Sequence, residues 1–405
     1  MKAKNTSTDI VIIGAGMAGL TLAGLLGKNG FAVTVVDRED PEKMALDTYD
    51  VRTIALSLGS RQIMEPLGIW DALAPFGVAI ESIDVQEGHD PFLLNFDAGD
   101  IEHKAFGWIF PNAVVRRMLY DAAVAHHVQF AAPDMLQDIV QEENGVIARL
   151  ASGHNIHASV LIGVDGRTSR VRDLVGVSGV NLPYHQCAWV GLVEHENPHH
   201  GLAVERFYNT GPFAILPFTN RDPVDGEAGV PIHRSAIVWT HDVEKGQTHL
   251  PVPDLETLTS QLEQLFDERY GAIKAVGTWG CFPLSLYHAK EMVAPRVALA
   301  SDAAHAIHPI AGQGLNLGMR DLQVLTELFT QARDRGDDIG SVSVLAEYQR
   351  QRRFDIFAMV AATDVLNRLF GTKSRSVRWL RSAGLGVVNR VPTLKKFFMN
   401  VASGK

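Results

Sequence analysis

The sequence predicts an α/β protein with a discontinuous Rossmann-like domain, an inserted, mostly antiparallel β-sheet domain and a helical C-terminal region. Three observations predict this fold. The chain opens with an apolar strand, a glycine-rich turn and a helix; two later apolar strands each end in an acidic residue; and segments rich in aromatic residues and turn signals lie between them. The first two patterns are typical of parallel α/β sheets and the third of antiparallel sheets.

The first element is a βαβ unit between Thr8 and Val36. It reads as the strand DIVIIGAG, the helix MAGLTLAGLLGKNG and the strand FAVTVVD. Residues 10–27 carry no charge and approach the length of a membrane span, but five glycines interrupt them. We therefore expect a buried strand followed by a helix, and no transmembrane segment.

The later elements of this domain are helices and two buried strands. Helices are predicted over 112–127 and 322–333, and strands over 157–165 (HASVLIGVD) and 295–302 (PRVALASD). The strands end in Asp165 and Asp302, which we expect at the carboxyl edge of a parallel sheet, where ligands of α/β folds bind.

Antiparallel character appears near Ile80 (IESIDVQEG) and again between Glu205 and Ala289. We therefore divide the chain into three parts. The nucleotide-binding domain comprises 1–79, 106–180 and 284–344, the substrate domain 80–105 and 181–283, and the helical basic C-terminal region 345–405.

Composition limits the class and the compartment. The chain has 405 residues, of which 46% are apolar and 20% charged, as in folded proteins of two or three domains. The two cysteines, Cys187 and Cys281, form no CxxC motif, and the N-terminal segment shows no signal-peptide pattern. We expect a reducing compartment and a cytoplasmic protein.

The glycine motif Gly14-Ala15-Gly16-Met17-Ala18-Gly19 lies between the first strand and its helix. In that context its glycines let the backbone approach a diphosphate at a helix N-terminus. Asp37 ends the next strand and is placed to accept hydrogen bonds from an adenosine ribose. This predicts dinucleotide binding without choosing between NAD and FAD.

A second signature, residues 296–321 (RVALASDAAHAIHPIAGQGLNLGMRD), favours FAD. Asp302 can bind a ribityl hydroxyl, and Gly312, Gly314 and Gly318 allow close approach of a flavin ring edge to a helix N-terminus. His305 and His308 lie within it, but no carboxylate completes a metal-binding set, so we expect them to pack and predict no metal.

A third signature, GVDGRTSRVR (163–172), contains the turn Asp165-Gly166 and then Arg167, Ser169 and Arg172. These residues either brace the cofactor domain or face the groove beside the flavin and the pyridine nucleotide. Both alternatives remain open at this level.

Together these three segments resemble the GxGxxG, DG and GD motifs of the class A flavoprotein monooxygenases, the group that contains para-hydroxybenzoate hydroxylase. Within that group the chain is most similar to the ubiquinone-biosynthesis hydroxylases. The segments that carry this closer resemblance are 50–73 (DVRTIALSLGSRQIMEPLGIWDAL), 211–218 (GPFAILPF), 308–321 (HPIAGQGLNLGMRD) and 363–370 (TDVLNRLF). It extends over nearly the whole chain.

The resemblance implies a role for particular residues in binding FAD. The diphosphate would lie at Gly14, Gly16 and Gly19, the adenosine ribose at Asp37, and the ribityl chain at Asp302. Arg52 would lie near the flavin and phosphates, Asn112 near the diphosphate, and Pro309, Gly312, Gly314 and Asn316 around the isoalloxazine ring. Ala15, Ala18, Arg38 and Leu315 complete the expected cofactor-binding set.

Two positions depart from the family pattern: Ser301 replaces the glycine of the GD motif and could crowd its turn, and Asp37 replaces a common glutamate.

The resemblance also implies the reaction. NAD(P)H would reduce the flavin transiently, dioxygen would form a flavin C4a-hydroperoxide, and one oxygen atom would pass to the aromatic ring of a polyprenylated phenol. No catalytic side chain is assigned, and no nucleic-acid partner is expected.

The alternatives to this function are hydroxylation of a soluble phenol and a non-oxygenating FAD-binding scaffold of a quinone-pathway complex. A halogenase is disfavoured because GWIFP (107–111) does not match the WxWxIP segment.

The C-terminal region suggests a surface partner. Residues 345–405 contain twelve Lys and Arg and three Asp and Glu, a charge of +9 that leaves −18 for the rest of a chain with net charge −9. Apolar residues interleave with these bases: Trp379, Leu380, Leu385, Val387, Val388, Leu394, Phe397, Phe398 and Met399 among Arg375, Arg378, Arg381, Arg390, Lys395 and Lys396. This composition suits an anionic membrane surface on the cytoplasmic side or a quinone-biosynthesis complex. The alternative is that the apolar residues pack on the protein and the bases are solvated.

Overall fold

The structure is a computed structural model that describes residues 5–46, 50, 52–88, 93–101, 103–208, 211–221, 232–245, 247–308, 312–371 and 392–404. The four inner strands of its central sheet are apolar segments that are buried along their whole length. The strand order is β19 (Val293–Ala294), β20 (Val297–Leu299), β13 (Val160–Gly163), β2 (Ile10–Ile13), β3 (Val33–Val36) and β9 (Gln129–Ala131). From β20 to β9 the strands are parallel, and the inner strands are covered on both faces, which explains why they carry no polar alternation.

Helices cover this sheet and supply most of its core. They are α1 (Met17–Lys28), α2 (Pro41–Met44), α3 (Leu58–Met64), α4 (Trp70–Leu73), α5 (Asn112–Ala125), α6 (Arg170–Leu174), α8 (Gln313–Asp334) and α9 (Val342–Gly371). Helix α1 packs closely on α5, since a Cβ at Gly27 would lie 2.8 Å from the His126 carbonyl oxygen. The apolar run of residues 10–27 is thus a strand and a buried helix, as predicted.

Two smaller sheets flank the central one. The first has the order β1 (Asn5–Ser7), β12 (Asn155–Ala158), β11 (Gly145–Leu150) and β10 (Leu136–Glu142). The second has the order β4 (Thr53–Ser57), β8 (Gly107–Pro111) and β5 (Val78–Ile80), and it stands between the central sheet and the large sheet.

The large sheet is mostly antiparallel. Its order is β21 (His305–Ala306), β18 (Ile273–Ala289), β14 (Gly179–His195), β17 (Ile232–Asp242), β16 (Gly211–Arg221), β15 (Leu202–Tyr208), β6 (Ser82–Glu87) and β7 (Leu93–Asp97). Successive side chains alternate between two faces. The outer face packs on α7 (Leu255–Glu263) through residues such as Val193, Val204, Phe213, Ile215 and Ile237. The inner face, defined by Leu192, Ala203, Leu216 and Ala236, turns towards the small sheet and contacts Ile80, Phe106 and Ile109.

The C-terminal helix α10 (Pro392–Ser403) also packs on the inner-face core, through the fully buried Met399. Lys395 of the same helix binds Asp100 with Nζ 3.1 Å from the carboxylate. At this position the apolar tail packs on the protein and one base is paired. Residues 372–391, which include most of the predicted basic and apolar tail residues, lie outside the described residues.

The predicted fold class is confirmed: a discontinuous parallel α/β sheet, an inserted, mostly antiparallel sheet and helices towards the C-terminus. The helix predicted over 112–127 spans Asn112–Ala125, and the one predicted over 322–333 begins earlier, at Gln313. The sequence did not reveal strand β14, helix α7 or the β10–β12 meander. The domain limits remain predictions.

Candidate cofactor and substrate site

Three glycines shape the first turn, each for a different reason. Gly14 has φ +113°, and a Cβ there would lie 2.6 Å from the Val164 carbonyl oxygen. A Cβ at Gly19 would lie 1.8 Å from the Gly14 carbonyl oxygen. A Cβ at Gly16 would meet nothing within 4 Å. Gly14 and Gly19 therefore pack strand against helix, while Gly16 borders open space at the start of α1, where no side chain caps the helix.

Asp37 holds this turn from the end of β3. Its Oδ2 accepts a hydrogen bond from the Ala15 N–H at 2.6 Å, and its Oδ1 accepts one from the Glu39 N–H at 2.9 Å. Each oxygen accepts one of these two bonds and so retains a lone pair, and the side chain is only half-buried, so the carboxylate can also accept a hydrogen bond from a ribose hydroxyl. Arg38, the next residue, is exposed and its Nε lies 3.7 Å from Glu39.

The parallel register brings the predicted acids to one edge of the central sheet. Ile13 pairs with Val36 and with Gly163, and Gly163 pairs with Leu299. Asp37, Gly14, Asp165 and Asp302, which follow these four strands, therefore lie side by side at the carboxyl edge.

The third signature mainly braces this edge. Asp165 accepts hydrogen bonds from Ser169 Oγ at 2.5 Å and from the Arg170 N–H at 2.7 Å; burial raises its pKa, and these bonds oppose the rise. Arg172 is buried and donates to the Ala303 carbonyl at 3.1 Å. Arg167 alone reaches a predicted cofactor residue, with its Nε 3.4 Å from Asp302.

A cluster around Asp50 lies at the start of α5, the helix that packs on α1. Arg52 binds the Asp50 carboxylate through Nε and Nη2, both at 2.8 Å, and Asn112 Nδ2 donates to it at 2.9 Å. Burial would raise the Asp50 pKa, but the hydrogen bonds and charge of Arg52 and the bond from Asn112 hold it well below the usual range. Among the described residues nothing donates to Asn112 Oδ1, although that atom is buried. Asn112 thus has an unused acceptor at the predicted diphosphate position.

The start of α8 is fastened to β4 by Asn316. Its Nδ2 donates to the Ala55 carbonyl at 3.0 Å, and its Oδ1 accepts from the Ser57 N–H at 3.0 Å and from Ser60 Oγ at 2.6 Å. The amide is thereby fully used within the protein, so Asn316 positions this segment. Gly312 has φ +62°, and a Cβ at Gly314 would meet nothing within 4 Å. A second helix start therefore borders open space.

The turn after β20 carries Ser301, which adopts φ +54° at the position where the family has glycine. Its N–H donates to Asp321 Oδ2 at 2.9 Å, and the same oxygen lies 2.6 Å from His305 Nε2. Arg352 Nε binds the other oxygen at 2.7 Å. Burial would raise the Asp321 pKa, but His305 and Arg352 outweigh it and the pKa is lowered.

The large sheet forms the opposite wall of the site. The Arg52 guanidinium lies 4.8 Å from the centre of the Phe282 ring. Phe282 pairs with Ala188 on β14, whereas the neighbouring Cys281 and Trp189 belong to the outer face. Phe282 therefore lies on the inner face, and Arg52 joins the cofactor edge to that face.

The structure brings together most of the residues predicted from the sequence. Ala15 and Ala18 are buried in the first turn and its helix, and Leu315 is half-buried at the start of α8. Pro309 lies outside the described residues. Asp50, Phe282 and the Asp321–Arg352 pair were not predicted from the sequence. Only Asp50 had a local signal, its position two residues before Arg52; the others meet through tertiary contacts.

These groups fit a flavin dinucleotide. Open space at Gly16 and Gly314 would admit a diphosphate and a ring edge, Asp37 and Asp302 offer acceptors for hydroxyl groups, and Asn112 Oδ1 lacks a donor among the described residues. No group of three or more His, Cys, Asp or Glu side chains in the described ranges is arranged to hold a metal ion.

Comparison with known proteins gives one consistent result. A family model described as an FAD binding domain matches residues 7–363. The chain is 37% identical over 399 residues to ubiquinone hydroxylase UbiL of Rhodospirillum rubrum, covering 98% of this chain and 89% of that protein. It is 31% identical over 406 residues to the 3-demethoxyubiquinol 3-hydroxylase of Escherichia coli, covering 99% of each. The solved structure of p-nitrophenol 4-monooxygenase PnpA from Pseudomonas putida shares the fold, with a TM-score of 0.78 at 18% identity, over 99% of this chain and 98% of that one.

Proposed function

The chain belongs to the FAD-dependent aromatic monooxygenases, as its motifs predicted, and from this membership we propose that it hydroxylates the aromatic ring of a polyprenylated phenol in ubiquinone biosynthesis. NAD(P)H is the proposed transient reductant and dioxygen the co-substrate. The names of the relatives from Rhodospirillum rubrum and Escherichia coli, similar over almost the full chain, support this substrate class.

One structural observation carries the proposal: the cofactor edge faces an apolar sheet wall, and Arg52 connects the two. The wall is formed by the inner face, whose central side chains Val190, Leu192, Leu216, Val238 and Phe282 are only half-buried. Apolar side chains that face another layer and still keep exposed surface indicate an unfilled space. A prenylated phenol, with an apolar body and one polar group, suits such a space.

When bound, FAD supplies the redox chemistry that activates dioxygen. The residues of this chain bind and orient it. The backbone around Gly16 would receive the diphosphate, Asp37 and Asp302 the ribose and ribityl hydroxyls, and Arg52 would place positive charge near the flavin. The apolar inner face would hold the substrate ring and exclude water from the reacting centre.

The test is anaerobic flavin reduction by NADH and by NADPH, with and without a short-chain prenylphenol, followed by oxygen and product mass analysis. Substrate-accelerated reduction and a product heavier by one oxygen atom are expected. Flavin that stays oxidised with both nicotinamides would instead support a non-oxygenating scaffold. Equal acceleration by phenols without a prenyl chain would support hydroxylation of a soluble phenol.

We further propose that the C-terminal region contacts an anionic lipid surface through α9. Phe354 and Phe357 lie one helical turn apart and are 81% and 62% exposed. They line a surface cavity with Arg350, Arg353, Lys290, His288 and Glu291. Exposed aromatic side chains beside basic groups suit the interface of an anionic bilayer. None of the helices in the described part of the chain has the length and apolar character needed to cross a bilayer.

Flotation with phosphatidylcholine vesicles, with and without phosphatidylglycerol, tests this contact. We expect binding that depends on the anionic lipid and weakens about tenfold or more when Phe354 and Phe357 are both replaced by Ser. Val342→Ser, which removes another exposed apolar residue from α9, is the control and leaves binding unchanged. Equal binding by the double variant and the wild type would contradict the proposal.

A further inference from the structure

Glu205 lies in the middle of β15 and projects from the inner face of the large sheet. The residues on either side of it face outwards: Val204 is part of the outer-face core, and Arg206 forms an ion pair with Asp267. Because side chains alternate along a strand, Glu205 projects on the same side as Ala203, which packs in the inner-face core. Its carboxyl group therefore faces the proposed substrate space.

The sheet register surrounds Glu205 with apolar neighbours. Glu205 pairs with Val85 on β6 and Ala214 on β16, Ala214 pairs with Val238 on β17, and Val238 pairs with Val190 on β14. With strands about 4.8 Å apart, these side chains form one continuous row. Within the described residues, no hydrogen bond or ion pair reaches the carboxyl of Glu205.

The Glu205 side chain is both enclosed and accessible. It retains some exposed surface, as do Val190 and Val238 in the same row. Yet burial raises its pKa from the ordinary 4.5 to about 8. A carboxyl group at the bottom of a recess has both properties. Glu205 projects from the same face of the sheet as Phe282, whose ring the Arg52 guanidinium contacts.

Among the side chains that the structure describes, charged groups on neighbouring elements do not compensate Glu205. The next inner-face position on β6 is Glu87, which is also acidic. On α9, which packs against β15 and β16, the Asp364 carboxylate accepts a hydrogen bond from the Tyr184 hydroxyl. On α10, Lys395 is paired with Asp100. No described side chain therefore occupies the hydrogen-bonding capacity of the half-buried Glu205 carboxyl, so a hydroxyl group of a ligand that enters the inner-face space can bond to it.

We propose that Glu205 is the catalytic base that binds the ring hydroxyl of the phenolic substrate and takes its proton. This inference rests on the proposed function. The phenol O–H bond breaks, the proton passes to a carboxylate oxygen of Glu205, and the electron pair remains on the phenol oxygen. The resulting phenolate donates electron density to its ortho and para carbons, which favours attack on an electrophilic oxygen. The proton transfer consumes no oxidant or reductant.

The first test is the pH profile of kcat/KM for a short-chain prenylphenol. In the wild type kcat/KM rises with pH as Glu205 ionises, with a midpoint near the raised pKa of about 8. Glu205→Gln keeps the shape of the side chain, but the amide cannot accept the proton. In this variant kcat/KM falls about 100-fold or more, and the inflection near the pKa of Glu205 disappears from the pH profile. Glu263→Gln, an exposed carboxyl on α7, is the control and keeps the wild-type profile. The FAD absorbance of Glu205→Gln verifies that the variant is folded.

The second test is binding, which needs no turnover. The wild type binds the prenylphenol about tenfold or more tightly than its methyl ether, and Glu205→Leu loses this preference. A Glu205→Gln enzyme with the wild-type rate and inflection would overturn the inference while the proposed hydroxylation stands. If the wild type forms no hydroxylated product, the proposed function fails, and equal binding of phenol and methyl ether then overturns the role of Glu205 as well.

Discussion

Ser301 occupies the space that the missing side chain of Gly318 leaves open. A Cβ at Gly318 would lie 2.4 Å from Ser301 Oγ and 2.8 Å from Ser301 Cβ. The serine in the GD-type turn is thus accommodated, despite its left-handed backbone, because the facing residue of α8 is a glycine. Crowding of this turn, which the sequence suggested, is avoided by that pairing.

This pairing predicts that Gly318→Ala destabilises the protein. Such a change inside a helix normally stabilises by about 1 kcal/mol, but here the overpacking costs about 1–3 kcal/mol. In a Ser301→Gly background the two closest clashing atoms, the Oγ and Cβ of Ser301, are absent, so Gly318→Ala should cost at least about 1 kcal/mol less. Denaturant unfolding of the wild type, the two single variants and the double variant measures the coupling free energy between the two positions. Additive effects would show that the two residues do not interact.

The geometry of the first turn predicts different effects of substitution at Gly16 and at Gly19. Gly16→Ala places a Cβ in open space, so the fold is retained and FAD affinity falls about tenfold or more, because the diphosphate loses its close approach to the backbone. Gly19→Ala drives a Cβ into the Gly14 carbonyl and destabilises the apoprotein by about 2 kcal/mol or more. FAD titration and urea unfolding separate the two effects. Equal loss of stability in both variants would contradict the assignment of Gly16.

The buried Asp321 predicts a large loss of stability on neutralisation. Asp321→Asn leaves the Arg352 guanidinium with a weaker partner in the core, and breaking such a pair costs about 3–5 kcal/mol. Asp121→Asn, which breaks the exposed pair with Arg117, costs at most about 0.5 kcal/mol and serves as the control. Denaturant midpoints at neutral pH measure both. Similar midpoints for the two variants would show that Asp321 contributes little.

His195 predicts acid sensitivity. Burial lowers its pKa from 6.5 to about 4, and its ring nitrogens bond the Asn197 carbonyl at 2.7 Å and Ser235 Oγ at 3.0 Å. As the pH falls, this histidine therefore takes up a proton in the unfolded chain before it does so in the folded protein. The contribution of the neutral, buried His195 to the free energy of unfolding is complete above pH 6.5 and is lost as the pH falls towards 4. The loss amounts to about 3 kcal/mol at most.

His195→Gln should therefore show a smaller difference in unfolding free energy between neutral and mildly acidic pH than the wild type. His249→Gln, at an exposed histidine, should behave as the wild type. Urea unfolding at both pH values measures the difference. An unchanged pH dependence in His195→Gln would assign the acid sensitivity to other groups.

Local sequence was sufficient to predict how the candidate cofactor-binding residues are arranged. Gly14, Gly16, Gly19 and Asp37 lie on one continuous βαβ unit, so their spacing along the chain already determines their geometry. The acids Asp165 and Asp302 could be placed because the carboxyl ends of parallel strands share one edge. The specific contacts that these residues make with FAD remain predictions.

Other parts of the site could not be read from the chain. Asn316 was expected at the flavin ring, but its amide is bound to Ala55, Ser57 and Ser60, more than 250 positions earlier in the sequence. Met399 belongs to a tail with a surface-like composition and is nevertheless buried. Composition describes what a segment can contact, whereas burial depends on which surfaces the fold brings to it.

The sequence by itself determined the fold class, the FAD-binding family and the βαβ dinucleotide turn, because each rests on residues near one another in the chain or on periodic patterns. Only the tertiary structure decided that Ser301 fits against Gly318, that Arg52 touches Phe282 and that Glu205 faces the inner space. Each of these depends on strand register and side-chain direction across elements far apart in sequence. A shift of one residue in β15 would turn Glu205 to the opposite face.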